Sequence, residues 1–334
     1  MAVLVTGGAG YIGSHCVKSL LAGGRQVVVL DDFSAGHRGA CDALATIAAP
    51  GQLTVIEAGI GDTATVEATC RQHGIDAAMH FAAWLSVGDS VTDPAGYYRN
   101  NVTGSIGLLD GLSRAGVTRL IFSSTCATYG EPQRVPIAED HPQNPVNPYG
   151  ESKLAVEKMM HWYANAYDFR YAALRYFNAA GADPDGEVGE VHDPETHLIP
   201  LAIEAAVGTG ELSIFGTDYP TPDGTAIRDY IHVVDLADAH LRALAKLRDG
   251  SATALRLNLG TGRGHSVREV VAAVRKVTGR DVRVREVGRR AGDPPALVAD
   301  ARQAATVLGW QPRHPELEII VEHAARWRER RERT

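Results

Sequence analysis

Tyr149 and Lys153 stand four residues apart behind Asn147-Pro148, a pair suited to the N-cap and first position of a helix. That spacing puts the phenol and the ammonium on one helix face. A free phenol titrates near pH ~10, so a base working near neutrality needs a shift of ~3 units, about 4 kcal/mol. Two close positive charges in a partly dry site can supply it. Tyr149 is then a general base, and a general acid in the reverse direction. Taken alone, the tetrad reads more readily as an ordinary pair on a helix surface. Thr125 closes Ile121-Phe122-Ser123-Ser124-Thr125 at a strand's carboxyl end, where open α/β sheets place ligands. Its hydroxyl could bridge a sugar hydroxyl and the phenolate; alone it reads equally well as a strand-end cap.

A second group of residues suits a phosphate. Gly7, Gly10 and Gly13 follow Val3-Leu4-Val5-Thr6 in the spacing of a strand, a tight turn and a helix start. Gly7 makes the turn, Gly10 admits backbone close to a pyrophosphate, and Gly13 lets helix and strand approach. Helix-end N–H groups then face the anion. Asp31 ends the next strand, where a carboxylate accepts hydrogen bonds from a ribose diol. Asp31 and Asp32 together repel a 2′-phosphate, favouring NAD over NADP.

The elements that must position these groups are legible as short apolar runs alternating with amphipathic stretches. Ala2–Val5, Gln26–Leu30, Leu53–Ile56, Ala77–Phe81, Arg119–Phe122, Tyr171–Arg175 and Leu255–Leu259 read as strands. Ile12–Leu21, Thr65–His73, Tyr97–Ala115 and Tyr149–Tyr167 read as helices. The alternation predicts an α/β fold, a Rossmann-type doubly wound parallel sheet with a smaller, discontinuous C-terminal substrate domain. The expected division is 1–178 plus about 229–260 for the dinucleotide and about 179–228 plus 261–334 for the substrate. Ala182–His197 reads as a solvated acidic loop, and the charged tail Arg328–Arg333 as a solvated helix end.

The 334 residues are 45% hydrophobic and 22% charged, the composition of a globular chain. Lys plus Arg number 33 against 40 Asp plus Glu, a net charge of -7, so nucleic acid and membrane are not expected partners. No apolar run is long enough for a membrane span. The start of the chain carries no basic leader, and the four cysteines are scattered; a reduced, cytoplasmic protein is expected. The 13 histidines show no His-Glu-x-x-His spacing, so no metal is expected.

Thr6-Gly7-Gly8-Ala9-Gly10-Tyr11-Ile12-Gly13-Ser14-His15, the Ser-Ser-Thr strand end and Tyr149-x-x-x-Lys153 resemble the extended short-chain dehydrogenase/reductase family, and within it the UDP-glucose 4-epimerases. His80-Phe81-Ala82-Ala83, Leu174-Arg175-Tyr176-Phe177-Asn178 and Arg228-Asp229-Tyr230-Ile231-His232 carry the resemblance onward, to about Asp300. It implies a catalytic set of Tyr149, Lys153 and Thr125. It implies an NAD site built from Gly7, Gly10, Tyr11, Ile12 and Gly13, then Asp31, Asp32, Phe33 and Ile60, then Phe81, Ala82, Ala83, Asn100 and Phe177, with Tyr149 and Lys153. A UDP-hexose would be held by Asn178, His197, Leu198, Phe215, Arg228, Arg290, Asp293 and Leu297, with Thr125 and Tyr149. The two arginines suit a diphosphate by forked hydrogen bonds. Without the family pattern, Phe215 reads as a core aromatic and Arg290 as a surface arginine.

The implied reaction interconverts UDP-glucose and UDP-galactose. Tightly held NAD, which is not consumed, oxidises sugar C4, the 4-keto sugar turns about its anchored UDP, and hydride returns to the opposite face. The family's Asp at the end of the third strand is Gly59 here, and a lysine near the nicotinamide ribose is replaced by Leu85. A 4,6-dehydratase would need an Asp-Glu pair after Thr125, where this chain has Cys126-Ala127. A non-catalytic NAD sensor would not need Tyr149, Lys153 and Thr125 together. Leu297 has intermediate bulk at a position expected to limit room for an N-acetyl group, so UDP-N-acetylhexosamines stay open. A homodimer through Tyr97–Ala115 and Tyr149–Tyr167 is expected from the family.

Overall fold

A computed structural model describes residues 1–208, 210–290 and 292–332. The apolar runs form β1 (Ala2–Thr6), β2 (Gln26–Asp31), β3 (Leu53–Glu57), β4 (Ile75–His80), β5 (Arg119–Thr125) and β6 (Arg170–Tyr176). Later strands are β7 (Asn178–Ala180), β8 (Leu212–Phe215), β9 (Ile227–His232), β10 (Ala254–Leu259), β11 (Gly264–Ser266), β12 (Val284–Val287) and β13 (Ala296–Leu297). Seven of them make one sheet in the order β10-β6-β5-β4-β1-β2-β3. β1 pairs in parallel with β2 and β4, β2 with β3, and β4 with β5. The chain winds outward one way through β2 and β3 and the other way from β4, so the order switches between β1 and β4. Parallel sheets bind ligands at the carboxyl side of such a switch. Burial on both faces explains why Val3, Leu4 and Val5 are all apolar and all inaccessible.

The described chain falls into two compact units. The first comprises Met1–Gly130, Pro142–Arg175 and Ala237–Leu257; the second comprises Glu131–His141, Tyr176–Leu236 and the chain from Asn258 onward. In the first, Leu4, Leu30, Leu108, Leu112, Phe122 and Met160 anchor a core between sheet and helices. In the second, β9 pairs with β11, β13 and β7, while β8 and β12 form a separate parallel pair. Ile199, Ile203, Val270, Val274, Ile320 and Val321 close that unit's core.

Two stretches differ from the expectation. Tyr97–Ala115 is helical as expected but not uniformly α: Pro94–Tyr97 leads into a π-helical turn, Tyr98–Thr103, before α-helix resumes over Gly104–Arg114. Asn101 in that wide turn spends its side chain on the backbone, accepting from Trp84 N–H (2.9 Å) and donating to Trp84 C=O (3.1 Å). Such turns recur at functional sites. Ala182–His197 is irregular but only partly solvated: Asp185 and Asp193 are exposed, whereas Asp183 and Glu190 are buried. The helix Leu317–Arg331 covers it, with Trp327 Nε1 donating to the Glu190 carbonyl (2.9 Å) and Arg330 to that of Asp185 (2.8 Å). The charged tail is therefore partly used in packing; its Arg333 lies outside the described residues.

Candidate active site

In the first unit, Gly7 adopts φ 70°, and a Cβ there would lie 2.4 Å from Ala82 N. A Cβ on Gly13 would lie 2.1 Å from the Gly7 carbonyl, so helix and turn approach as the sequence requires. The helix Tyr11–Ala22 begins with no side-chain cap and no acidic residue in its first turn. Its leading N–H groups, from Tyr11 to Gly13, thus present a positive helix end that suits a pyrophosphate. Asp31 is buried; it accepts from Ala9 N–H (3.0 Å) and Phe33 N–H (2.9 Å), tying the glycine turn to the end of β2. Burial raises its pKa, the two amides oppose that, and neighbouring Asp32 adds to the rise. Phe33 sits at φ 57°, a left-handed conformation that costs a side chain about 1–2 kcal/mol, with Arg38 stacked 4.1 Å above its ring.

Tyr149 lies in the first turn of the helix Pro148–Tyr167, whose Asn147 cap accepts from Gly150 N–H (2.9 Å). Thr125, at the end of β5, accepts from Ala127 N–H (3.1 Å) and has its hydroxyl beside the Tyr149 phenol, whose pKa it lowers. Lys153 is buried, donates to the Ser123 carbonyl (2.9 Å) and has its Nζ 6.0 Å from the Tyr149 ring centre. The three groups expected to act together do meet. Their electrostatics differ from the expectation in one respect. Burial pushes the Tyr149 phenol above its usual range, only partly offset by Thr125, and brings Lys153 down to about 7. The chain thus holds the phenol in its neutral form and leaves Lys153 partly charged near neutrality, and a further positive charge beside the phenol is what would release its proton.

The support around them was not legible from spacing. Glu157, two turns beyond Tyr149, accepts from Ser124 Oγ (2.5 Å) and from Arg175 Nε (2.9 Å) and Nη2 (2.6 Å). Arg175 also donates to Tyr129 Oη (2.9 Å), and all four residues are buried. This network clamps β5, β6 and the Tyr149 helix to one another. Thr6, His80 and Ser105 form a second buried chain, with His80 Nδ1 2.8 Å from Thr6 Oγ1 and Nε2 3.0 Å from Ser105 Oγ. Burial, then the Lys153 charge, lower His80 to about 3, so it is neutral. Polar residues inside apolar runs were the only sequence signal for either network.

The remaining expected cofactor residues are placed as follows. Ile60 is buried in the core; Phe81 stacks on His240 with ring centres 4.9 Å apart; Ala82 backs the Gly7 turn. Ala83 is part-buried in the loop after β4. Asn100 occupies the π-helical turn and donates to Asn101 Oδ1 (3.0 Å), while Asp32 accepts from Ser34 N–H (2.9 Å). Gly59 leaves open space beside Asp32, and Leu85 is exposed.

In the second unit, Arg228 on β9 pairs with Asp293, and Leu297 on β13 stands in register with Arg228. Arg228 is also tied by Nη1 to the Ile227 carbonyl (2.7 Å), which leaves further guanidinium N–H groups for an anion. Arg290 lies 3.7 Å above the centre of the Phe215 ring, a cation–π stack. Phe177 is buried, its N–H donating to the Leu259 carbonyl (3.3 Å), and Asn178 opens β7. Leu198 opens the helix Leu198–Val207. His197, just before it, turns its ring to Glu190, with Nδ1 2.6 Å from Oε1. Burial works against charge there, but Glu190 and Glu195 raise His197 to about 10 and His192 to about 9.

Comparison with known proteins matches this arrangement. The model of the NAD dependent epimerase/dehydratase family matches residues 3–260. A UDP-glucose 4-epimerase of Halalkalibacterium halodurans is 50% identical over 329 residues, 98% of this chain and 95% of that protein. The crystal structure of the Brucella ovis UDP-glucose 4-epimerase in complex with NAD superposes with a TM-score of 0.92 at 51% identity, covering 97% of each chain. The UDP-glucose-4-epimerase of Stenotrophomonas maltophila, with bound NAD and formylated UDP-arabinopyranose, gives 0.95 at 41% identity, covering 100% of this chain and 99% of that one. By sequence match along most of its length and by fold along nearly all of it, the chain belongs to the NAD dependent epimerase/dehydratase family.

Proposed function

We propose that this chain is a UDP-glucose 4-epimerase that interconverts UDP-glucose and UDP-galactose with NAD as a resident, unconsumed cofactor. The observation that carries the proposal is the joined set of Tyr149, Thr125 and buried Lys153 in a chain about half identical to such enzymes. The uncapped helix end at Tyr11 and the Asp31 carboxylate fit the pyrophosphate and ribose of a dinucleotide. When bound, NAD supplies reversible two-electron oxidation. Tyr149 takes the proton of the 4-hydroxyl and later returns it to the 4-keto oxygen, with Thr125 orienting the phenol. Lys153, fixed by the Ser123 carbonyl, adds positive charge on the side of the helix where the phenolate forms. Arg228 and Arg290 are the donors for the diphosphate, the Asp293 carboxylate accepts from hydroxyls of the ribose, the Asn178 amide bonds sugar hydroxyls, and Phe215 and Leu198 offer apolar surface. Leu297, in register with Arg228, is the residue whose size sets tolerance for a 2-acetamido group.

A homodimer is part of the proposal. Tyr98, Ile106, Trp162 and Tyr167 on the two helical segments are exposed large hydrophobic side chains, which a second copy would cover. Cytoplasmic residence is supported by Cys16, Cys41, Cys70 and Cys126, all buried and none joined in a disulfide. No helix among the described residues is long and apolar enough to cross a membrane. The test is to mix pure protein separately with UDP-galactose and UDP-N-acetylgalactosamine, with no NAD added, and follow products by NMR. UDP-glucose from the first is expected; its absence overturns the proposal.

A further inference from the structure

The loop between β7 and the helix Leu198–Val207, which leads into the expected substrate residue Leu198, gathers Glu190, His192, Glu195 and His197. One ligand atom from each, imidazole nitrogen or carboxylate oxygen, lies within 4.8 Å of all the others. We propose that these four side chains bind a divalent first-row transition ion, with Zn²⁺ the best fit, that clips this loop.

Geometry is the first argument. A tetrahedral ion with bonds of about 2.0–2.1 Å keeps its ligand atoms about 3.3 Å apart. His192 Nδ1 lies 3.2 Å from Glu190 Oε1 and 3.6 Å from Glu195 Oε2, and His197 Nδ1 lies 3.3 Å from Glu195 Oε1. The rival occupant is a proton on each imidazole, giving two imidazolium–carboxylate pairs. Glu190 is 8% exposed, and its Oε1 stands buried between His197 Nδ1 (2.6 Å) and His192 Nδ1 (3.2 Å). A dication at the centre of the group replaces those two protons and binds all four ligand atoms at once.

Support and access are the second argument. Glu195 Oε1 is fixed by the N–H groups of Thr196 (2.7 Å) and His197 (2.8 Å), and the Glu190 backbone by Trp327 Nε1. Ligands held by outer hydrogen bonds in this way are typical of metal sites. Gly189 lets the Trp327 ring lie over the loop, since a Cβ there would meet it at 2.4 Å. A cavity of about 260 Å³ reaches Glu190, His192 and Glu195, giving an ion its path. Two imidazoles and two carboxylates neutralise a dication, and the mixture of nitrogen and oxygen suits zinc better than calcium or a thiolate-seeking ion. The ligands are spaced Glu-x-His-x-x-Glu-x-His, so an ion would close the irregular stretch that positions His197 and Leu198.

The test starts from the full chain purified with its NAD, stripped by chelator, dialysed and titrated with ZnCl2 by calorimetry. One Zn²⁺ per chain is expected, with Kd below ~1 μM and a loss of at least ~100-fold in the His192→Ala, Glu195→Gln double variant. No stoichiometric uptake, or equal uptake by the variant, overturns the proposal. Zinc-edge X-ray absorption on the unaltered loaded chain covers a variant that fails to fold. Imidazole and carboxylate ligands at about 2.0–2.1 Å support the site; sulfur ligands or a shell of water alone overturn it.

Discussion

The clamp of Glu157 and Arg175 makes a quantitative prediction about how the site is held. Both side chains are 2% exposed, and their closest approach is 2.6 Å. Arg175→Met leaves the Glu157 carboxylate buried with only Ser124 donating to it; Glu157→Leu leaves the guanidinium buried with only Tyr129 accepting from it. Either single change strands a buried charge and is expected to cost about 3–5 kcal/mol. The double variant removes both charges, so its cost should fall short of the summed single costs by about 3 kcal/mol. Urea unfolding of the four proteins at saturating NAD, followed by fluorescence, measures the cycle. Each single variant should also lose kcat, because Ser124 and the Tyr149 helix lose their common anchor while the cofactor residues stay intact. Single costs that add to within ~0.5 kcal/mol would refute the idea that the two charges exist for each other.

Further outcomes follow from the same geometry. Tyr149→Phe should lower kcat by roughly 10²–10⁴-fold with NAD content unchanged, measured by coupled assay and by absorbance of the released nucleotide. Lys153→Met should move the acid limb of the kcat profile upward in pH, since the phenol keeps its burial but loses a neighbouring positive charge; an unmoved profile counts against Lys153 as the tuning group. His80 is held near 3 in the folded chain against an ordinary ~6.5, so the unfolded chain binds more protons between those values. Stability should therefore fall as pH drops from about 6.5 toward 3, by up to ~1.4 kcal/mol per unit from this group, and His80→Asn should flatten that slope in urea titrations. Arg228→Met should raise KM for UDP-galactose by roughly 10- to 100-fold with a smaller change in kcat, checked by steady-state kinetics.

Much of the first unit could be read from periodicity because parallel strands covered on both faces have no polar alternative, as in Val3-Leu4-Val5 and Val27-Val28-Val29. The glycine turn was legible for a similar reason: at Gly7 and Gly13 a side chain has nowhere to go. The π-helical turn at Tyr98–Thr103 was not, since it depends on Asn101 bonding to Trp84, seventeen residues back in the chain. The loop 182–197 reads as fully solvated because its six acidic residues carry no sign that an arginine-rich helix packs on the loop and that Asp183 and Glu190 turn inward. Glu157 and Arg175 escaped because a buried pair is recognised by its partner, and nothing in the spacing names the partner. The phenol and ammonium were found by spacing, but their pKa directions depend on burial, which spacing does not report.

The account rests on oxidation and reduction of the same sugar carbon. UDP-galactose carrying deuterium at C4, turned over in ordinary water without added NAD, tests it directly by NMR of the product. Deuterium retained at C4 of UDP-glucose is the predicted result; its replacement by solvent hydrogen at a rate matching turnover would contradict the mechanism.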